Sequence, residues 1–138
     1  MLLASCLLLL GLAAASSASR RTSVSAPSVL PDCLGKPTVK PSEVILACAD
    51  AGLGVRAISW LGWGSALAAG VGTAFANDCT PNCAAGHFHS YQAVLILRGA
   101  QRCGTKLAYK TATVAIVGTP PTAFATPADA TYPLRCAS

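Results

Sequence analysis

Charged side chains are scarce in this sequence of 138 residues. Lysine and arginine number ten, aspartate and glutamate number five, and charged residues make up 11% of the chain, where a typical soluble domain has about 25%. Aromatic residues make up only 6%, whereas hydrophobic residues make up 53%. This composition excludes an intrinsically disordered chain, which combines low hydrophobicity with high charge. The length allows one domain of ordinary size and excludes a multidomain enzyme.

Patterns that mark common enzymes are also missing. The five carboxylates are scattered, and nothing in the sequence places two of them across one cleft, as a glycosidase requires. The Gly-x-Ser-x-Gly nucleophile elbow is absent. We therefore predict a protein that is not an enzyme, with no catalytic residues and no cofactor. An unrecognised small hydrolase is kept as an alternative.

The first residues have the pattern of a secretory signal peptide. Residues 1–19 contain no charged side chain, and an apolar run ends in small residues before Arg20. Ser16 and Ala18 stand at the −3 and −1 positions of a cleavage site. We predict a signal peptide over residues 1–18 and a secreted, extracellular protein, with association with the cell wall as a further expectation.

The cysteine count agrees with export. Removal of the signal peptide takes away Cys6, one of seven cysteines, and an even number remains. An even count in a secreted chain indicates a disulfide framework, for which six cysteines allow fifteen connectivities. The cysteines expected to form disulfides are Cys33, Cys48, Cys79, Cys83, Cys103 and Cys136.

Short strands separated by Gly and Pro turns are predicted along the rest of the chain. Residues 66–76 alternate between larger and small side chains, which is typical of a strand, and no segment has a helix start, a helix stop and an amphipathic period. The expected fold is all-β, a small antiparallel β-sandwich or barrel with disulfide staples. We predict a flexible arm at 19–31, a β domain at 32–117, and a Pro/Ala-rich tail at 118–138 stapled by Cys136.

One segment allows a competing interpretation. Residues 57–76 carry no charge over a length that could span a membrane, and small residues recur every fourth position. The many Gly, Ser and Thr residues dilute the hydrophobicity, and the period of two over 66–76 fits a strand better. We therefore favour strands here over a transmembrane helix.

The densest group of chemically reactive side chains lies between residues 77 and 91. Its spacing is Cys-x3-Cys-x3-His-x-His, formed by Cys79, Cys83, His87 and His89. Thiolates and imidazoles suit zinc or copper, but an oxidising compartment converts close cysteine pairs into disulfides. We predict a Cys79–Cys83 disulfide and no Cys/His metal site. A metal-binding protein that uses His87 and His89, with a third ligand from elsewhere, is kept as an alternative.

Aromatic side chains offer a second candidate site. His87, His89 and Tyr91 share one strand parity, and Trp60 and Trp63 lie in a neighbouring predicted strand or turn. Together they could form a binding surface for a glycan or a peptide. The simpler interpretation, which we favour, places Trp60 in the core and leaves Tyr91 half-buried.

Basic residues exceed acidic residues and concentrate in one region. The formal net charge is +5, and basic side chains cluster between Arg98 and Lys110. Such a cluster attracts anionic wall polymers or membranes, although a solvated hairpin face is the more ordinary interpretation. The expected partners are an anionic envelope polymer, a glycan or another secreted protein. Nucleic acid is not expected, because the chain is exported and shows no binding motif.

The cysteine-bearing segments resemble a known family. Four features carry the resemblance: Cys-x-Gly-x-Pro from Cys33, Leu-Ala-Cys-Ala-Asp at 46–50, Trp60, and Asn-Asp-Cys-x-Pro-x-Cys-Ala-x-Gly-x-Phe-His-x-Tyr at 77–91. In these features the chain is similar to a family of small secreted actinobacterial proteins. The resemblance covers residues 33–117. That family has no established activity, so the resemblance implies no catalytic residues.

The resemblance implies a disulfide connectivity. Four of the six cysteines belong to the shared pattern, whereas Cys103 and Cys136 look like additions in this chain and are therefore expected to pair with each other. The implied pairs are Cys33–Cys48, Cys79–Cys83 and Cys103–Cys136. The sequence thus predicts a secreted, disulfide-stabilised, non-catalytic domain that binds a ligand or associates with the cell envelope.

Overall fold

The structure, a computed structural model, describes residues 26–118 and 129–136. Within these ranges the chain forms strands and no helix, so the predicted all-β class is confirmed. The predicted signal peptide, with Cys6, lies outside the described residues. The strands are β1 (Leu30–Pro31), β2 (Pro37–Thr38), β3 (Glu43–Ile45), β4 (Leu53–Trp63), β5 (Leu67–Asn77), β6 (Phe88–Cys103), β7 (Lys106–Ile116) and β8 (Asp129–Pro133).

The main sheet is an antiparallel meander. Its six strands follow one another in chain order from β3 to β8, and the sheet curves into a half-barrel. Strands β1 and β2 form a separate antiparallel pair. Residues 57–76 lie in β4 and β5, so the transmembrane-helix alternative is wrong. The described ranges hold no helix of the length and hydrophobicity needed to cross a membrane.

Two bulges in β4 decide which of its side chains enter the core. The pairing with β5 shifts by one residue between Arg56 and Ser59, and again between Trp60 and Gly62. A strand without bulges would turn residues three apart to opposite faces. With the first bulge, at Ala57 (φ 52°), both Val55 and Ile58 are buried. Trp60 packs against the same core.

Strand β5 leaves room for these large side chains. The predicted alternation over 66–76 is confirmed, and the small residues are the ones that face the core, with Ala68 and Ala74 almost fully buried. A Cβ at Gly70 would lie 2.8 Å from Ile58 Cγ2 and 3.0 Å from Trp60 Cε3. Leu67 and Val71 point outwards and are exposed, whereas Phe75 on the same face of β5 is buried. The core is therefore filled mainly from the strands on either side of β5.

The N-terminal segment covers one end of this core. Ser28 is fully buried, and Leu30 is 2% exposed and belongs to the core cluster. Val29 pairs with β7, because its N–H donates to Leu107 O (2.8 Å) and its carbonyl accepts from Tyr109 N (3.1 Å). The prediction of a flexible arm at 19–31 is therefore wrong for these residues. Their burial was missed because the segment is short and has no period.

The C-terminal segment contributes the last strand. Strand β8 pairs with β7 from Ala115↔Asp129 to Thr111↔Pro133, inside the region predicted only as a tail. Residues 119–128 of that tail lie outside the described ranges. All three implied disulfides are present, joining Cys33–Cys48, Cys79–Cys83 and Cys103–Cys136. Cys103–Cys136 thus joins the C-terminal segment to the end of β6.

The packing of β4 side chains against β5 can be tested at Gly70. We expect Gly70→Ala to lower the free energy of unfolding by about 1–3 kcal/mol, because the new methyl group would press on Ile58 and Trp60. Gly62→Ala is the matched control, since a Cβ there has no atom within 4 Å. Urea denaturation of both variants provides the comparison. Equal stabilities would show that β5 does not need small residues at this position.

The disulfides should contribute unequally to the free energy of unfolding. Cys103–Cys136 closes a sequence separation of 33 residues and Cys79–Cys83 a separation of 4. In the chain-entropy model these correspond to about 4 and about 2 kcal/mol. We expect Cys103→Ser/Cys136→Ser to lower the free energy of unfolding more than Cys79→Ser/Cys83→Ser does, measured in denaturant titrations. The opposite order would contradict a mainly entropic contribution.

Candidate functional site

The predicted cysteine and histidine constellation lies in the loop that joins β5 to β6. Asp78 N donates to His87 O at 3.0 Å, directly beyond the last strand pair Asn77↔Phe88. Asp78 and His87 therefore face each other at the mouth of this loop. The predicted disulfide Cys79–Cys83 is formed, so both sulfurs are unavailable as thiolate ligands. A Cys/His ligand set would require this disulfide to be reduced.

The side chain of Asn77 fixes the shape of the loop. Its Oδ1 accepts from Cys79 N at 3.0 Å, and its Nδ2 donates to Cys83 O at 2.8 Å. A Cβ at Gly86 would collide with Asn77 Oδ1 and lie 2.8 Å from Cys79 N. The loop backbone thus approaches Asn77 so closely that position 86 requires glycine. This accounts physically for the glycine at this position of the motif.

Asp78 is the centre of the polar groups in the loop. Its Oδ1 accepts from the backbone N–H groups of Thr80 (3.0 Å) and His87 (2.9 Å). Its Oδ2 lies 3.0 Å from His89 Nε2 and 3.9 Å from His87 Nδ1. The Asp78 side chain is only 17% exposed, whereas the side chain of His87 is 80% exposed. One carboxylate oxygen therefore holds the backbone and the other faces two imidazoles.

These hydrogen bonds keep Asp78 ionised. The backbone N–H of His87, then the side chain of His89 and the backbone N–H of Thr80, hold the pKa of the Asp78 carboxyl well below its usual range. The weak opposing effect of desolvation does not reverse this direction. The site therefore presents a carboxylate at neutral pH. Asp78 is not among the predicted site residues, although it stands next to Cys79 at the end of a predicted strand.

A second group with ligand chemistry lies beside the disulfide. The group consists of Asp50, Cys79 and Cys83, whose ligand atoms all lie within 4.8 Å of one another. No other three metal-ligating residues within the described ranges meet this distance limit. Since the two sulfurs are joined to each other, Asp50 is the single ionisable ligand of that group. We assign no metal site to it.

The tryptophans lie apart from the histidines. Trp60 and Trp63 form an edge-to-face pair with ring centroids 4.6 Å apart. Their Nε1 atoms donate to Pro41 O (2.8 Å) and Ser28 O (2.9 Å), respectively. Both rings pack against the core, as the simpler interpretation expected for Trp60. The indoles are thus held by the scaffold and are not free to form a ligand platform.

The strand register separates the two parts of the predicted aromatic surface. Trp60 pairs with Gly70, whereas Tyr91 pairs with Ala74, four residues further along β5. This separation is about 13 Å along the strand. Tyr91 is half-buried and shares one face of β6 with His89, as predicted. The combined surface of tryptophans, histidines and Tyr91 is therefore not formed.

A group of basic side chains occupies the hairpin between β6 and β7. Cys103–Cys136 brings a further cation from the C-terminal segment to the hairpin, and Cys136 Sγ also lies 3.5 Å from Arg102 O. All members of the group are exposed. We name these residues the basic hairpin surface: Arg98, Arg102, Lys106, Lys110 and Arg135. In the described part of the chain, the ion pairs join histidines to Asp78 and involve no lysine or arginine.

The role of Asp78 in ordering the loop can be measured by amide hydrogen exchange. We expect Asp78→Ala to accelerate exchange at the N–H groups of Thr80 and His87, because both lose their acceptor. Asp78→Asn is the matched control, since its Oδ1 still accepts hydrogen bonds. Amides in the middle of β5 and β6 should keep their protection in both variants. Unchanged exchange at Thr80 and His87 in the alanine variant would contradict this role.

Comparisons with known proteins do not identify the chain. No protein-family model, no curated protein and no solved structure matches it. The similarity to small secreted actinobacterial proteins therefore stays a prediction.

Proposed function

We propose that this chain is a secreted, non-catalytic binding domain whose ligand is an anionic polymer of the cell envelope. The single observation that supports this proposal most strongly is the basic hairpin surface. It gathers five of the ten lysines and arginines of the chain on one hairpin and its disulfide-linked segment. The family resemblance, also a proposal, agrees with export and an envelope location.

The arrangement of the cations favours an external anion over an internal partner. Arg102 and Lys106 lie at the turn of the hairpin, where the register pairs are Arg102↔Leu107 and Cys103↔Lys106. Paired residues share a face, so the two cations lie on opposite faces of the hairpin beside its turn. No described carboxylate forms an ion pair with any lysine or arginine. Exposed cations that form no ion pair create a positive potential, which attracts polyanions over roughly a Debye length. A flexible polyanion that passes around the turn of the hairpin contacts cations on both of its faces through its phosphate or sulfate groups.

The covalent framework suits an extracellular binding domain. Three disulfides are consistent with a stabilised extracellular domain, because such bonds persist in oxidising compartments. Cys103–Cys136 has a second consequence here, since it fixes Arg135 beside the hairpin. The surface is thus held in place by a covalent bond as well as by the strand ladder. A preorganised surface loses less conformational entropy on binding.

The chemistry of the loop supports a non-catalytic role. All six described cysteines are oxidised in disulfides, so none of them can act as a thiolate nucleophile. The hydroxyl of Ser90, next to His89 in sequence, accepts a hydrogen bond from Arg56 at 3.2 Å. Neighbouring residues of a strand point to opposite faces, so Ser90 is directed away from His89. We therefore assign the Asp78–His89 pair no role in hydrolysis.

Binding to a polyanion can be measured directly with dextran sulfate, using neutral dextran as the negative probe. We expect saturable binding to the charged polymer alone, weakening at least about tenfold between 50 and 200 mM salt, because condensed counterions are released. Arg102→Gln/Lys106→Gln should bind more weakly and with a shallower salt dependence. Fluorescence anisotropy of labelled polymer at several salt concentrations gives both quantities.

The matched control removes the same charge elsewhere. Lys40→Gln/Arg56→Gln also loses one lysine and one arginine, and Arg56 pairs with Thr73, which pairs with Gln92. Gln92 lies six residues from Arg98 along β6, or about 20 Å. This control should bind like the unmodified protein. Equal weakening in both variants would attribute binding to net charge, and binding of neutral dextran would contradict an electrostatic site.

A further inference from the structure

Three side chains with metal-ligand chemistry lie at the mouth of the β5–β6 loop, separate from the basic hairpin surface. Two imidazoles and one ionised carboxylate meet there, with Asp78 between His87 and His89. We propose that Asp78, His87 and His89 bind one divalent ion that favours imidazole, such as Zn²⁺ or Cu²⁺. Two histidines alone make a weak site, and Asp78 supplies the third ligand that the sequence did not reveal.

The distances suit a tetrahedral ion. With metal–nitrogen and metal–oxygen bonds of about 2.1 Å, two ligand atoms of a tetrahedral site stand about 3.4 Å apart. Asp78 Oδ2 lies 3.0 Å from His89 Nε2 and 3.9 Å from His87 Nδ1. An ion between Oδ2 and His89 Nε2 would widen that contact by a few tenths of an ångström. The ion would replace a hydrogen bond that already aligns the two ligands.

Backbone groups orient the carboxylate for this role. Both hydrogen bonds from Thr80 N and His87 N end on Oδ1, which leaves Oδ2 for the imidazoles. Hydrogen bonds of this kind around a metal ligand fix its orientation, and their loss commonly lowers metal affinity 10–100-fold. The Cys79–Cys83 disulfide closes the loop directly after Asp78 in the sequence. Two of the three ligands, Asp78 and His89, are therefore in place before any ion arrives.

His87, the third ligand, must move before it can bind the ion. The nitrogens of the two imidazoles stand too far apart to share an ion until His87 turns toward His89. His87 is free to turn, because its side chain is 80% exposed. It is anchored at its backbone, where its N–H donates to Asp78 and its carbonyl accepts from Asp78 N. The proposed site therefore requires a rotation of the His87 side chain, and a fourth position stays open to water.

The test is calorimetric titration of the disulfide-intact, tag-free protein with ZnCl₂ or CuCl₂ after EDTA treatment and dialysis. We expect one ion per chain for at least one of the two salts. His87→Ala should lower the affinity at least about tenfold, and it is the informative variant because His87 is exposed. His89→Ala and Asp78→Asn should weaken binding similarly. Asp50→Asn is the matched control and should bind like the unmodified protein.

Nuclear magnetic resonance gives an independent readout on the chain's two histidines. The ring resonances of both should shift together on addition of Zn²⁺ and reach their end points at one equivalent. Absence of saturable binding of either ion would overturn the proposal. Affinity that is unchanged by His87→Ala but lost in Asp50→Asn would move the site to the disulfide and also overturn it. Half an ion per chain would contradict a site within one chain.

Discussion

The packing of bulky β4 side chains over the small residues of β5 is the contact on which the rest of the structure depends. Gly70 and Gly72 leave space that Ile58, Trp60 and Val55 occupy, and a Cβ at Gly72 would lie 2.8 Å from Arg56 O. A chain with few aromatic residues can fill its core this way because the backbones approach closely where side chains are absent. The half-barrel thus obtains a dense centre from a sequence rich in alanine and glycine.

The pairing register of β5 and β6 places the two candidate sites relative to this packed centre. The β5–β6 ladder runs without a shift from Leu67↔Arg98 to Asn77↔Phe88. One end of the ladder leads into the cysteine loop, where Asp78 meets both histidines. The other end leads into the extended β6–β7 hairpin, where the cations lie. A rigid scaffold therefore holds the carboxylate–imidazole group and the basic hairpin surface at opposite ends of the same strands.

Much of the fold could be predicted because its signals are local. Alternation identified β5, and the turn residues around Cys79 and Cys83 marked the loop. The bulges of β4 could not be predicted, since a positive φ at Ala57 has no residue-type signature. Strand β8 and the burial of Leu30 were missed because both segments are short and gain their order from contacts with residues far along the chain. The same reason applies to Asp78, whose role depends on the pairing that brings residues 78 and 87 together.

The proposed function depends on binding of an anionic polymer to the basic hairpin surface. The most direct measurement is mapping of backbone amide chemical shifts during titration of the disulfide-intact protein with dextran sulfate. The shifts should be largest from Arg98 to Lys110 and at Arg135, and small around Lys40 and Arg56. Shifts centred on any other part of the sheet, or none at polymer concentrations that saturate binding, would contradict the proposed surface.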